Sequence, residues 1–453
     1  MKKISRFKLS TSQFILSGFL AVILVGSILL CLPISSAHNN PVPFIDALFT
    51  ATTATCVTGL VTVPTVTTWS IFGQAVILCL IQIGGLGVVT VLSWFMILMQ
   101  KRIGLSDRLL IQDAFNLNSL SGLVRFVKKV MIGTFLVEGV GAVLYMPIFI
   151  KDFGLKGIWI SVFNSVSAFC NAGIDIISEN SICDYVHNPL VNTVTMLLII
   201  LGGLGYIVWW DIIRVFSLKK RVKIKFWKGL SLQSKIALFA TVLLIFTGAV
   251  LFFIFEYNNP QTLKDFTLFQ KIEASLFQSV TTRTAGFATV PQQNLTNASA
   301  IVSLLLMFIG GSPVGTAGGI KTVTVIVLVA TAFSVIKNKN DVNIFGRRLS
   351  VETLKKAVAV VMTSFIIAFL STVLLSAVTN APALDILYET VSATATVGLT
   401  RNLTPSLNTI GKIIIIFTMY FGRVGPISLA FALGGKSKKE NIIKNPTEEL
   451  SVG

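Results

Sequence analysis

Apolar residues gather in eight long runs, at roughly 12–32, 72–99, 130–150, 190–213, 234–255, 299–334, 357–378 and 411–433. A helix needs about 20 mainly apolar residues to cross the hydrocarbon of a bilayer, so each run predicts a membrane span. Between the first two runs lies a shorter, moderately apolar piece at 44–55. Its twelve residues are too few to cross, and this length predicts a re-entrant or buried helix. The first run follows Lys2, Lys3, Arg6 and Lys8, as a signal peptide would. It is too long for a signal core and no clean small-residue cleavage site follows, so it is read as a span.

Basic residues are spread unevenly between the runs. Four precede residue 12, six lie in 100–129, eight in 214–235, six in 337–356 and four in 436–444, which is 28 of the 37 in the chain. Segment 33–70 has none. The positive-inside rule then places both termini and the three connecting basic loops in the cytoplasm, and an even number of spans agrees. Charged residues make up 12% of the chain and hydrophobic ones 53%, with a mean hydropathy of +0.82. An ordinary soluble domain carries about 25% charged residues, so lipid is the solvent and a multi-pass protein of the cell membrane is expected. The net charge of +18 sits mostly between the runs, and no nucleic-acid partner is expected. His38 and His187 cannot build a His-rich metal site. Five cysteines, with Cys31 and Cys79 inside apolar runs, imply no disulfide framework.

The basic loops recur about every 110 residues, and a shorter pattern repeats within that period. Thr55-Cys-Val-Thr-Gly-Leu60, Phe169-Cys-Asn-Ala-Gly-Ile174, Thr282-Arg-Thr-Ala-Gly-Phe287 and Thr394-Ala-Thr-Val-Gly-Leu399 line up on Gly59, Gly173, Gly286 and Gly398, separated by 114, 113 and 112 residues. Phe49, Phe163 and Tyr388 precede their glycines by ten residues, and Phe277 by nine. The predicted unit is span, half-length helix, glycine loop, span. Four such units, 1–100, 101–217, 218–335 and 336–453 (the last with a cytoplasmic tail), predict an all-α integral membrane protein with pseudo-fourfold symmetry around one central pore.

Non-helical backbone at membrane depth is tolerated only where protein buries it or water lines it. Glycine lets such loops turn their carbonyls inward, and rings of carbonyls replace the hydration shell of a monovalent cation. The candidate potassium ligands are therefore the backbone carbonyls of Val57, Thr58, Gly59 and Leu60; of Asn171, Ala172, Gly173 and Ile174; of Thr284, Ala285, Gly286 and Phe287; and of Thr396, Val397, Gly398 and Leu399. Asp46, Glu273 and Asp385, three or four residues before the aromatic landmark, are read as ordinary helix N-terminal acids. The second repeat has Ile160 there.

These residues resemble the Trk/Ktr/HKT superfamily of potassium transporters over almost the whole chain. The most specific pieces are Thr282-Arg-Thr-Ala-Gly-Phe287, Asn171-Ala-Gly-Ile174, the loop from Gly310 to Lys321, and Gly422-Arg423. Eight spans without an extra N-terminal pair are similar to the Ktr-type membrane subunit. The resemblance implies potassium uptake, a homodimer, and a cytosolic ring of RCK-type (regulator of potassium conductance) nucleotide-binding subunits. It leaves open symport with sodium, or sodium as an activating ion. Glycine in all four repeats, where some plant members carry serine in the first, argues for potassium over sodium.

The third repeat stands apart. Five glycines in 310–321 make a continuous helix costly, at about 1 kcal/mol each against alanine, and predict a broken helix. The resemblance implies that Gly310, Gly311, Ser312, Pro313, Gly315, Thr316, Gly318 and Gly319 form a gate below the filter; Val314 stands where related loops often have a smaller residue. Arg423 lies well inside the last run and should face an interior cavity; the resemblance assigns it to the gate. Arg283 is expected to brace the filter from behind, and Glu138 to make a buried polar contact.

Two other classes compete. A membrane-embedded enzyme would need clustered acids or histidines at depth, and the chain has no His-Glu-x-x-His, no G-x-S-x-G and no Asp-rich pair. A sodium or mixed monovalent cation carrier working by alternating access would more usually show two inverted halves, whereas these four repeats run the same way. No G-x-G-x-x-G follows a strand, so no cofactor is expected and nucleotide sensing belongs to a partner. The loops 100–129, 214–235 and 337–356 are the candidate docking surface, with attraction to anionic membrane lipids as their other use.

Overall fold

A computed structural model describes residues 10–38, 40–100, 104–115, 122–219 and 225–425. The basic cluster before residue 10, the end of the last run at 426–433 and the basic tail at 436–444 lie outside the described residues. Four of the described helices are single, long and apolar enough to cross a membrane: Thr11–Leu30, Leu123–Phe153, Leu232–Glu256 and Val351–Val378. Each is followed by a short helix, respectively Phe44–Cys56, Lys156–Cys170, Leu268–Thr281 and Ala383–Ala395. At 1.5 Å per residue these extend about 20–23 Å, short of the roughly 30 Å of hydrocarbon. A third helix completes each unit: Ile71–Leu86, Pro189–Leu204, Asn297–Phe308 and Thr409–Val424.

The short helices begin and end on local signals. Pro43 and Pro382 stand at the N-caps of the first and fourth, and Thr267 forms a capping box with Gln270 in the third. The first, second and fourth stop at a left-handed residue, Val57, Asn171 and Thr396. The third stops differently: Thr282 caps it in a right-handed conformation and Thr284 is the left-handed residue. That difference fits the nine-residue spacing from Phe277 to Gly286.

Packing closes the four units into a ring. Each long helix lies against the short helix of its own unit. The third helix of each unit packs on the short helix of the next: Ile71–Leu86 on Lys156–Cys170, Pro189–Leu204 on Leu268–Thr281, and Asn297–Phe308 on Ala383–Ala395. Thr409–Val424 packs back on Phe44–Cys56, so no unit is left at an edge. The short helices are enclosed by this arrangement; in the first, Phe49 through Cys56 are all buried. Large apolar side chains such as Leu136, Phe246 and Phe365 face outward and stay exposed, as lipid contact requires.

Two expected spans are corrected. The runs 72–99 and 190–213 do not continue as straight helices. Ile71–Leu86 and Val88–Leu98 meet at 100°, and Pro189–Leu204 and Tyr206–Leu218 meet at 93°. Gly87 and Gly205 make the bends with φ of 85° and 86°, a region that side-chain-bearing residues avoid. Gly425 ends Thr409–Val424 in the same conformation, at φ 89°. Both halves of each bent pair are apolar, so hydropathy reads straight through the corner. The run 299–334 breaks as expected, into Asn297–Phe308 and Thr322–Ile336 around an irregular loop.

Candidate functional site

The four glycine loops meet at the centre of the ring. Gly59, Gly173, Gly286 and Gly398 have φ of 98°, 62°, 87° and 96°. A Cβ on Gly59 would lie 2.5 Å from the Ala172 carbonyl oxygen, and one on Gly173 would lie 2.5 Å from that of Ala285. On Gly286 and Gly398 it would run closer still, into the oxygens of Val397 and Thr58. Both backbone angle and space therefore require glycine. The carbonyl preceding each glycine thus faces the glycine of a neighbouring loop, and the four contacts close a cycle through all four repeats. Two residues before each glycine, Val57, Asn171, Thr284 and Thr396 also have positive φ, whereas Thr58, Ala172, Ala285 and Val397 do not. Alternating signs of φ turn successive carbonyls toward one side, unlike a β-strand, where they alternate. Leu60, Ile174, Phe287 and Leu399 follow the glycines and are buried.

Each loop is braced by one hydroxyl of its own short helix. Thr53 Oγ1 accepts from the Gly59 N–H at 2.9 Å, and Ser392 Oγ from that of Gly398 at 3.0 Å. Ser167 Oγ donates to the Ile174 carbonyl at 2.5 Å, and Thr281 Oγ1 to that of Phe287 at 2.6 Å. The sequence reading missed these four hydroxyls. Their signal was available: three lie six residues before the glycine and Thr281 five, the same one-residue shift as Phe277. The short helices end at the loops, bringing about half a negative charge each toward the axis.

Asp46 and Asp385 lie in the first turns of their helices, but Glu273 does not: Leu268–Thr281 begins five residues before it and has no acid in its first turn, so its expected N-terminal role is corrected. All three are engaged by side chains from other segments. Asp46 accepts from Lys412 Nζ and Asp385 from Arg401 Nε, both at 2.6 Å, while Glu273 accepts from Asn192 at 3.3 Å. Glu389, fully buried in the fourth short helix, accepts from the Thr400 hydroxyl at 2.6 Å and from Thr404. Sequence reasoning did not single out Lys412, Arg401 or Glu389.

The loop between Phe308 and Thr322 lies against repeats two and four, which face each other across the ring. Ser312 N donates to the Gly203 carbonyl at 2.8 Å, Thr316 N to that of Gly202 at 3.1 Å, and Tyr206 N to that of Val314 at 2.8 Å. Thr316 Oγ1 donates to the Phe169 carbonyl at 2.9 Å. On the other side, a Cβ on Gly318 would collide with Thr396 Oγ1. Gly310 N bonds the Ile320 carbonyl at 3.0 Å and Thr322 N that of Gly311 at 3.0 Å, pinching the loop's two ends together. Pro313 and Gly315 are packed beside Gly205, and Gly319 beside Gly310. The loop is thus held at the C-terminal ends of the second and fourth short helices, against Phe169 and Thr396.

Arg423 does not stand free in an opening. Its guanidinium donates to the Thr316 carbonyl at 2.7 Å and to those of Gly84 and Gly85 at 2.5 and 3.3 Å. A residue of repeat four thereby joins the loop of repeat three to repeat one. Arg283 is buried and reaches Thr241 on Leu232–Glu256 at 3.4 Å, away from the ring. The Glu138 carboxyl accepts from Gln82 at 3.2 Å and lies beside Cys170. At one end of the molecule, Phe345 packs on Trp227 and Phe239 with ring centroids 5.9 and 6.1 Å apart, bringing loops 214–235 and 337–356 together. Lys337, Lys339, Arg347, Arg348, Lys355 and Lys356 are exposed there.

A family described as TrkH, cation transport protein, matches residues 8–441. The chain is 38% identical to the potassium/sodium uptake protein NtpJ of Enterococcus hirae, over 100% of this chain and 99% of that protein. It is equally 38% identical to the Ktr system potassium uptake protein B of Bacillus subtilis, over 100% and 99%. Among solved structures, it is similar to the potassium transporter TrkH from Vibrio parahaemolyticus. That match has a TM-score of 0.72 at 15% identity, covering 94% of this chain and 86% of that one.

Proposed function

Since the chain belongs to the TrkH family of cation transport proteins, we propose that it carries potassium into the cell through a pore along the axis of its four glycine loops. The observation that carries this reading is the closed cycle of backbone oxygens from Thr58, Ala172, Ala285 and Val397 at the four glycines. Uncharged oxygens, with four helix C-termini behind them, suit a monovalent cation that sheds its water. In this reading 57–60, 171–174, 284–287 and 396–399 are the filter of four repeats, whose boundaries fall at 100, 217 and 335. Gly310–Gly319 is the gate beneath it, and Arg423 is its clasp.

Both termini and the basic loops face the cytoplasm, where the exposed basic face docks an RCK-type nucleotide-binding ring. Relatives carrying the name of a Ktr system support a multi-component assembly. One chain supplies all four loops, so a homodimer holds two pores. Sodium is the candidate second ion, since one relative is named for both.

Uptake by a transport-deficient cell tests the filter. Gly59→Ser places an atom against the Ala172 oxygen and should lower the potassium-to-sodium uptake ratio by about tenfold, the effect of roughly 1.4 kcal/mol at the ring. An unchanged ratio would sink this register. Rubidium running down its gradient with no counter-substrate separates the pore from an exchanging carrier.

A further inference from the structure

Arg125, Lys128 and Lys129 stand near the start of Leu123–Phe153, three and four residues apart, so they share one face of that helix. All three are exposed, and none forms an ion pair among the described residues. The same face continues through Ile132, Phe135, Leu136, Val140 and Val143, each more than half exposed. Gly139 leaves a dip in this stripe, with nothing within 4 Å of where a Cβ would be. From Ile132 to Val140 the helix rises about 12 Å, close to the roughly 15 Å of hydrocarbon in one leaflet.

A second helix closes one side of the basic end. Tyr206–Leu218 leaves Pro189–Leu204 at 93°. Its Trp209 and Trp210 lie 3.5 and 3.6 Å from where a Cβ on Gly133 would stand, one turn beyond Lys129. Lys129 Nζ sits 5.0 Å from the centre of the Trp210 ring. That contact fixes the ammonium by cation–π attraction and leaves N–H groups for an acceptor. Ile213 and Phe216 of the same helix are exposed. A helix that turns aside with exposed apolar residues beside tryptophan suits a membrane interface.

We propose that this corner binds an anionic phospholipid, its phosphate on Arg125, Lys128 and Lys129 and an acyl chain along Ile132–Val140. The cations alone would suit a cytosolic protein equally. A ligand that runs from three cations straight onto a leaflet-deep apolar stripe has a charged head and a long tail. A second copy of this chain, related by a two-fold axis along the membrane normal, would set like charges together on this face. The site also reaches Gly310–Gly319. Tyr206, at the start of the bent helix, donates its N–H to the Val314 carbonyl at 2.8 Å, and Thr134 donates to its hydroxyl at 3.4 Å. A lipid that steadies Trp210 therefore steadies the helix to which that loop is bonded. The site is independent of the potassium pathway.

The test gives full-length, delipidated protein in detergent equal amounts of phosphatidylglycerol and phosphatidylcholine and weighs the complexes by native mass spectrometry. The parent should retain phosphatidylglycerol at least about tenfold better. Arg125→Gln/Lys128→Gln/Lys129→Gln should retain the two lipids equally, and Lys129→Gln alone should fall between. Lys337→Gln/Lys339→Gln/Lys355→Gln, which removes three exposed charges elsewhere, should behave as the parent. Phosphatidylglycerol should also raise the unfolding temperature of the parent but not of the first triple variant. Equal retention by the parent overturns the proposal, as does a preference that survives in the first triple variant. A preference lost alike in both triple variants belongs to overall charge and overturns the site too.

Discussion

Replacing Arg423 by alanine is the sharpest test of Gly310–Gly319 as the proposed gate. The guanidinium donates to the loop at Thr316 and to repeat one at Gly84 and Gly85, so it ties the loop to a third wall of the ring. A hydrogen bond from a charged donor contributes about 1.5–3 kcal/mol. Counting only the 2.7 Å bond to Thr316, its loss moves the balance between seated and displaced loop by about ten- to a hundredfold. The charge acts in the same direction. At an effective dielectric of about 20, a cation roughly 8 Å away meets about 2 kcal/mol of repulsion, which alanine removes. The remaining bonds from Ser312, Thr316 and Tyr206 still hold the loop's fold, so the variant should insert normally.

Flux of rubidium into liposomes carrying the purified protein, per mole inserted, should rise at least about tenfold. Arg423→Lys keeps the charge but presents it as a point that does not bridge three carbonyls, so it should fall between. If Arg423→Ala reaches the bilayer in parental amounts yet conducts less than the parent, the reasoning is refuted, and the arginine supports a conducting structure instead.

Three further outcomes are expected. Deleting part of 311–317 should raise potassium flux and reduce its dependence on the proposed cytosolic partner; lower flux at normal expression would mark the loop as structural. Ser392→Ala removes the acceptor for the Gly398 N–H, a loss of about 1 kcal/mol, and should shift thermal unfolding down while lowering potassium-to-sodium discrimination; unchanged discrimination would show that the hydroxyl braces nothing. Native mass measurement should find two chains per assembly, and mixing parent with Gly59→Ser chains should leave each pore behaving independently. One pore shared at the two-fold axis would contradict this.

Gly59, Gly173, Gly286 and Gly398 were legible because their spacing, their aromatic landmarks and the flanking apolar runs are all written locally. A 20-residue apolar run, a proline N-cap or a left-handed stop acts within a few residues, so it leaves its mark in sequence. The same holds for Gly310–Gly319, where five glycines forbid a straight helix before anything packs on them. Tertiary structure decided the rest. Ile71–Leu86 and Val88–Leu98 meet at 100° at Gly87, and an apolar run gives no sign of direction.

Arg423 looked like a free charge facing a cavity until Gly84, Gly85 and Thr316 came within reach from repeats one and three. The pairs Asp46–Lys412 and Asp385–Arg401 and the contacts of each glycine with a neighbouring loop have the same character. The glycine contacts and Asp46–Lys412 join repeats, some of them hundreds of residues apart. Their partners are set by closure of the ring, in which the fourth repeat must fit against the first, and closure is a property of the packed whole rather than of any segment.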